Sequence, residues 1–169
     1  MRVVGVDPGL TRCGLAAVEG APGRRAQLLG ATVVRTAPDA TLAQRLCSLE
    51  AQIEEFVDSH RPDQIAVEAV FSQHNTATII GTAQASGVAL LVGGRRALPT
   101  ATHTPTEVKA GVTGSGRADK QQVARMVTSI LGLSAPPRPV DATDALALAL
   151  AHLWQAPVLA RRRLAGARR

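Results

Sequence analysis

The sequence contains no tyrosine, and its aromatic content is limited to Phe56, Phe71 and Trp154. Lysine is almost as scarce, with Lys109 and Lys120 set against seventeen arginines. The two cysteines, Cys13 and Cys47, form no metal-type cluster, which excludes a thiolate zinc module and suits a reducing compartment. No run of about 18 apolar residues occurs, so a membrane-spanning helix is excluded. With no secretory leader pattern either, the expectation is a soluble, cytoplasmic protein. Disorder is not expected, because 46% of the residues are hydrophobic and 169 residues suffice for one domain with a substantial core.

What is present is positive charge. The formal net charge is +6 at pH 7, which points to a polyanionic partner. Arg161, Arg162, Arg163, Arg168 and Arg169 crowd into the last nine residues, and without them the body is close to neutral. The expectation is a folded domain over residues 1–156 and a solvated, flexible arginine-rich tail over 157–169. A basic surface on the body would then require segregated charges.

The hydropathy pattern gives an order of elements. RVVGVD reads as a strand, GLAAVE as its hairpin partner across the DPGLTRCG turn, and QLLGATVVRT (27–36) as a third strand. Thr41 and Gln44 make a capping-box start for a helix with apolar Leu42, Leu46, Leu49, Ile53, Phe56 and Val57, stopped by Pro62. QIAVEAV (64–70) is a buried strand. A Gly/Ala-rich helix from Thr76 to Val92 invites close backbone approach, to the sheet or to a second subunit. TATHT is a fifth strand, and PTEVKAGV opens a helix with Pro105 in its first turn. DKQQVARMVTSILGL and VDATDALALALAHLW are the remaining helices, the last ending at Trp154. A three-strand meander followed by alternating helices and strands predicts an α/β architecture, a mixed sheet with helices packed on it.

Four carboxylates sit where carboxylates are unusual. Asp7 ends an apolar strand and Glu68 lies within IAVEAV, although acids are depleted in strands. Asp141 and Asp144 share one helix face, which continues through Ala145, Leu148 and Ala151 toward the sheet. Each has an ordinary alternative: a turn residue, the solvent face of an edge strand, a helix N-cap. A common role is favoured because all four lie in apolar elements that can converge. Four carboxylates in one place cannot all ionise unless cations enter. Oxygen-only ligation suits Mg²⁺ or Mn²⁺. Two such ions about 3.5–4 Å apart serve in-line displacement at a phosphodiester.

VVGVDPGLTRCG, IAVEAVFSQHNTAT, HTPTEVKAGVTGSGRADKQQV and PVDATDALALAL, in this order, resemble the RuvC family of Holliday-junction endodeoxyribonucleases from Met1 to about Ala156. The resemblance implies a ribonuclease H-like fold, a five-stranded mixed sheet with helices on both faces. It implies a homodimer that makes paired, metal-dependent nicks in four-way junction DNA, leaving ligatable ends, in homologous recombination and DNA repair. It also implies the RuvA and RuvB branch-migration proteins as partners. Carried over by position, the catalytic and metal-binding acids are Asp7, Glu68, Asp141 and Asp144, with two Mg²⁺ ions and Mn²⁺ as a substitute. Phe71 matches the family's junction-contacting aromatic, and Lys109 and Lys120 match its basic residues near the active site.

Beside the resemblance, Phe71 precedes a polar Ser72-Gln73-His74-Asn75 stretch. There it either stacks on a base, worth about 1–3 kcal/mol, or folds back into the core. Gln73, Asn75 and Arg117 are candidate DNA contacts, and Thr11, Arg12 and Gly14 line the turn beside Asp7. Lys109 and Lys120 flank the GVTGSGRAD break, where a compact ammonium can offset charge at a phosphate, or remain a solvated helix lysine. Two rivals are an actin-like ATPase or sugar kinase and a non-catalytic junction-binding module. The first generally needs two domains of this fold around its nucleotide. In the second, four acids would only repel phosphate.

Overall fold

The computed structural model describes residues 1–21, 25–70 and 76–166. Strand β1 (Arg2–Asp7) lies at the centre of the sheet, where Val3, Val4 and Val6 are fully buried. On one side β2 (Arg12–Glu19) and β3 (Gln27–Arg35) continue it as an antiparallel meander. On the other side β4 (Gln64–Glu68) and β5 (Thr100–His103) run parallel to it, giving the order β3-β2-β1-β4-β5. Parallel neighbours cannot be joined by a tight turn. Helices α1 (Leu42–His60) and α2 (Thr76–Arg95) supply the long connections. Strand β2 starts at Arg12, two residues before the predicted Gly14, so the turn after Asp7 is short. Strand β4 ends at Glu68 and not at Val70.

The helices divide between the two faces. Helices α1 and α2 cover Val4, Val6, Leu15, Ile65 and Val67. The other face, with Val3, Ala16, Val18 and Ala66, receives α5 (Val140–Gly166). Helices α3 (Pro105–Thr113) and α4 (Lys120–Leu131) pack on α5 in turn. Enclosed by the sheet and by α3 and α4, α5 is buried on every side from Ala145 to Ala151. Its approach to the sheet is unusually close. A Cβ on Gly5 would collide with the carbonyl oxygen of Ala145, and one on Gly14 with that of Asp141.

Local signals agree with these elements. The Thr41–Gln44 capping box opens α1, and Thr104–Glu107 and Asp119–Gln122 open α3 and α4 in the same way. Each such cap is worth about 1 kcal/mol. The buried stripe of α1 begins only at Leu49, so Leu42, expected to be buried, is 45% exposed. Met126 of α4 is likewise exposed. Helix α5 runs twelve residues past Trp154, where the pattern had ended it. Pro157 removes one N–H from its ladder, yet the Ala, Leu and Arg that follow are strong helix formers and carry the helix on.

Candidate active site

Asp7 and Glu68 are the last residues of two adjacent parallel strands, whose register pairs Val6 with Val67. Side chains alternate along a strand, so Asp7 follows Gly5, and Glu68 follows Ala66, on the face that α5 covers. The β1–β2 register sets Asp7 opposite Gly14. Gly14 is also the residue against which the backbone of Asp141 rests. The missing side chain at Gly14 thus lets the first turn of α5 settle beside the end of β1, and Asp144 follows on the same helix face.

All four acids line one cleft of about 400 Å³, together with Lys109 and Lys120. Pro105, Val108, Val123 and Ala147 form its apolar wall. Burial, and then repulsion from Glu68, Asp144 and Asp141, push the Asp7 carboxyl up to about 7, against the opposing pull of Lys120. Burial and the charge of Asp144 also push Glu68 up, opposed by Lys120 and Lys109. Lys120 is held above its usual range, first by Asp144, whose Oδ2 accepts from its Nζ at 3.2 Å. Asp141 Oδ2 accepts from Arg12 Nε at 2.7 Å.

The cleft concentrates negative charge faster than its own cations can offset it. Among the described residues, no three of these groups close on a single point as a finished coordination shell would. Asp141 and Asp144 turn instead to Arg12 and Lys120. The donor set is entirely oxygen, the chemistry of Mg²⁺ or Mn²⁺ and not of a thiolate or imidazole metal. An all-oxygen set of carboxylates with a desolvated member at its centre fits such ions.

The six residues expected at the catalytic centre are therefore brought together. Arg117 is not among them. It lines a neighbouring groove with Thr113, Ser115, Gln122 and Arg125. Phe71, Gln73, His74 and Asn75 lie outside the described residues. Sequence reasoning grouped Arg12 with the turn and missed its bond to Asp141; the available signal was its position, five residues after Asp7, at the start of the strand that pairs with it. It also missed a buried chain in which His103 Nε2 meets His152 Nδ1 at 2.8 Å and His152 Nε2 meets Gln64 Oε1 at 2.7 Å.

Comparison with known proteins gives a consistent set of matches. Residues 3–152 match the family model described as crossover junction endodeoxyribonuclease RuvC. The crossover junction endodeoxyribonuclease RuvC of Streptomyces avermitilis is 61% identical over 157 residues, covering 93% of this chain and 89% of that protein. The RuvC of Saccharopolyspora erythraea is 56% identical over 161 residues, covering 95% and 81%. Among solved structures, Thermus thermophilus RuvC in complex with a Holliday junction substrate superposes with a TM-score of 0.88 at 35% identity, covering 94% of this chain and 96% of that one. The yeast mitochondrial Holliday junction resolvase Ydc2, at 12% identity and a TM-score of 0.65, shares the fold.

Proposed function

The chain belongs to the RuvC family of crossover junction endodeoxyribonucleases, and we propose that the cleft of Asp7, Glu68, Asp141 and Asp144 is where it hydrolyses the phosphodiester bonds of a four-way DNA junction. The observation that carries this reading is the meeting of four carboxylates from β1, β4 and α5, with Asp7 pushed to about 7 by burial and by the other three. A cleft so charged attracts divalent cations and through them a phosphate. Two Mg²⁺ ions, or Mn²⁺ in their place, would be held by the carboxylates of Asp7, Glu68, Asp141 and Asp144. When bound, such ions make a water acidic enough to attack and offset charge on the leaving 3′-oxygen.

The protein's own groups do the rest. Asp7 and Glu68 are fixed by strand ends that cannot shift without breaking the sheet ladder. Lys109 and Lys120, on α3 and α4, offset charge that grows on the phosphate oxygens. The apolar wall of Pro105, Val108, Val123 and Ala147 keeps water from one side and so strengthens every charge interaction within.

The junction is two-fold symmetric and both strands must be cut, which calls for a symmetric dimer. Helix α2 offers the surface. Ile80, Ala83, Gly87, Leu90, Leu91 and Gly94 recur at helical spacing and are exposed. A Cβ on Gly87 or Gly94 would meet nothing within 4 Å, so a second backbone can come close there. The family resemblance supports RuvA and RuvB as partners, ligatable nicks as products, and recombination and repair in the cytoplasm as the setting. No described helix is long and apolar enough to cross a membrane.

The test is a labelled synthetic four-way junction incubated with the protein, with and without Mg²⁺. Paired nicks at symmetric positions are expected only with the metal. Asp7→Asn should hold the junction and fail to cut it; cutting at the wild-type rate in Mg²⁺ would remove Asp7 from the metal site.

A further inference from the structure

A second groove, of about 430 Å³, lies across the β1–β2 turn from the catalytic cleft. Thr11, Arg12, Arg45, Thr78 and Thr82 line it, and among the described residues no carboxylate does. Arg45 comes from the first turn of α1 and is half-buried. Its Nε donates to Thr36 Oγ1 at 2.9 Å and its Nη2 to Thr11 Oγ1 at 2.7 Å. The Thr36 hydroxyl in turn donates to the carbonyl of Leu10 at 2.6 Å and is itself buried, so its lone pairs are aimed at the guanidinium.

The guanidinium is thus held in one orientation by neutral hydroxyls. Among the described residues no carboxylate lies within ion-pair distance of it. Three other arginines are held by carboxylates instead. Arg2 pairs with Glu19, Arg95 with Glu50, and Arg96 with both Glu54 and Asp58. A half-buried cation with oriented donors and no counter-charge is a site prepared for an anion. Arg12 ties this groove to its neighbour, since it lines the groove while its Nε holds Asp141 of the catalytic cleft. A polyanion seated in one depression continues into the other.

We infer that this groove binds a second backbone phosphate of the DNA whose scissile phosphodiester lies at the four acids, with Arg45 as the anchoring cation. The hydroxyls of Thr78 and Thr82, facing Arg45 from α2, supply further donors to the phosphate oxygens. The inference rests on the reading that the chain acts on junction DNA. It adds a contact that carries no sequence information and fixes the register of the strand.

The experiment measures junction affinity over a salt series, in EDTA, for the wild type, Arg45→Gln and Thr78→Glu. Arg45→Gln should flatten the plot of log affinity against log salt by about 0.9 and weaken binding about tenfold, equally for junctions of every sequence. Thr78→Glu leaves the Thr11 and Thr36 bonds in place and sets a carboxylate against Arg45, in a first helical turn where acids are tolerated. It should produce the same loss. Melting temperatures report whether each variant is folded; if Arg45→Gln is not, Thr78→Glu decides alone. A folded variant with the wild-type slope and affinity overturns the groove while leaving the nuclease reading intact. Wild type that holds no junction at any salt, either in EDTA or with Ca²⁺ in place of Mg²⁺, overturns the nuclease reading, and this one with it.

Discussion

Arg12 Nε donates to Asp141 Oδ2 across 2.7 Å, joining the first residue of β2 to the first turn of α5. The bond spans 129 positions of sequence and both side chains remain partly exposed. It places a cation on an oxygen that a divalent ion would need, so the two compete.

Replacing Arg12 with Gln should therefore tighten Mn²⁺ binding to the protein alone. A partly exposed pair of this kind is worth about 0.2–1 kcal/mol, which sets the gain at no more than about fivefold. Calorimetric titration with Mn²⁺ reads it directly. Weaker binding in the variant would mean that Arg12 organises Asp141 for the ion and does not exclude it.

The Asp7 carboxyl gives the metal-free protein a pH dependence. Its ordinary value is 3.8 and its folded value about 7. Between the two, the folded state holds more protons than the unfolded state, so stability falls as pH rises through this window. The full difference corresponds to at most roughly 4 kcal/mol. Glu68 is pushed the same way and adds to the fall. His103, buried and held below its ordinary 6.5, acts in the opposite sense and costs stability as pH drops. Comparing wild type with Asp7→Asn isolates Asp7. Urea melts in EDTA should show the variant gaining on the wild type from about pH 4 to about pH 7, and saturating Mg²⁺ should reverse the difference. A difference that does not change with pH contradicts the burial of Asp7 among like charges.

Gly14→Ala tests the close approach that assembles the cleft. The added methyl meets the carbonyl of Asp141, so α5 must retreat from β2. Overpacking of this kind costs about 1–3 kcal/mol. Denaturant midpoints should fall accordingly, and Mn²⁺ affinity should fall with them because Asp141 moves from Asp7. Loss of stability with unaltered Mn²⁺ affinity would show that the acids do not depend on this contact.

Leu91→Glu tests the exposed face of α2. Leu91 is 48% exposed, so a lone subunit should tolerate the charge. Sedimentation should show monomers, and junction cleavage should become unpaired, with single nicks accumulating. A dimer that survives Leu91→Glu together with Ile80→Glu moves the interface elsewhere.

The sheet and its helices were legible because period-two and helical apolar patterns are local, and because Thr41–Gln44 and Pro105 mark helix starts without reference to the rest of the chain. The four acids were legible as anomalies, charged groups in apolar elements. Leu42 misled because periodicity reports a face and not how far along the helix that face is covered. The end of α5 misled because Pro157 and the arginines beyond it look like a stop, while the backbone there remains helical. Arg45 was beyond reach: an arginine on a helix reads as solvated, and its partners Thr11 and Thr36 are fixed only by the fold.

The cleft draws Asp7 from the first strand and Asp144 from the last helix, with the rest of the domain threaded between them. If the four acids are the cutting centre, as proposed, a nascent chain still leaving the ribosome would carry Asp7 and Glu68 without α5 and so have no complete centre with which to nick DNA. Competence to cut would then arrive only once synthesis of the domain is done.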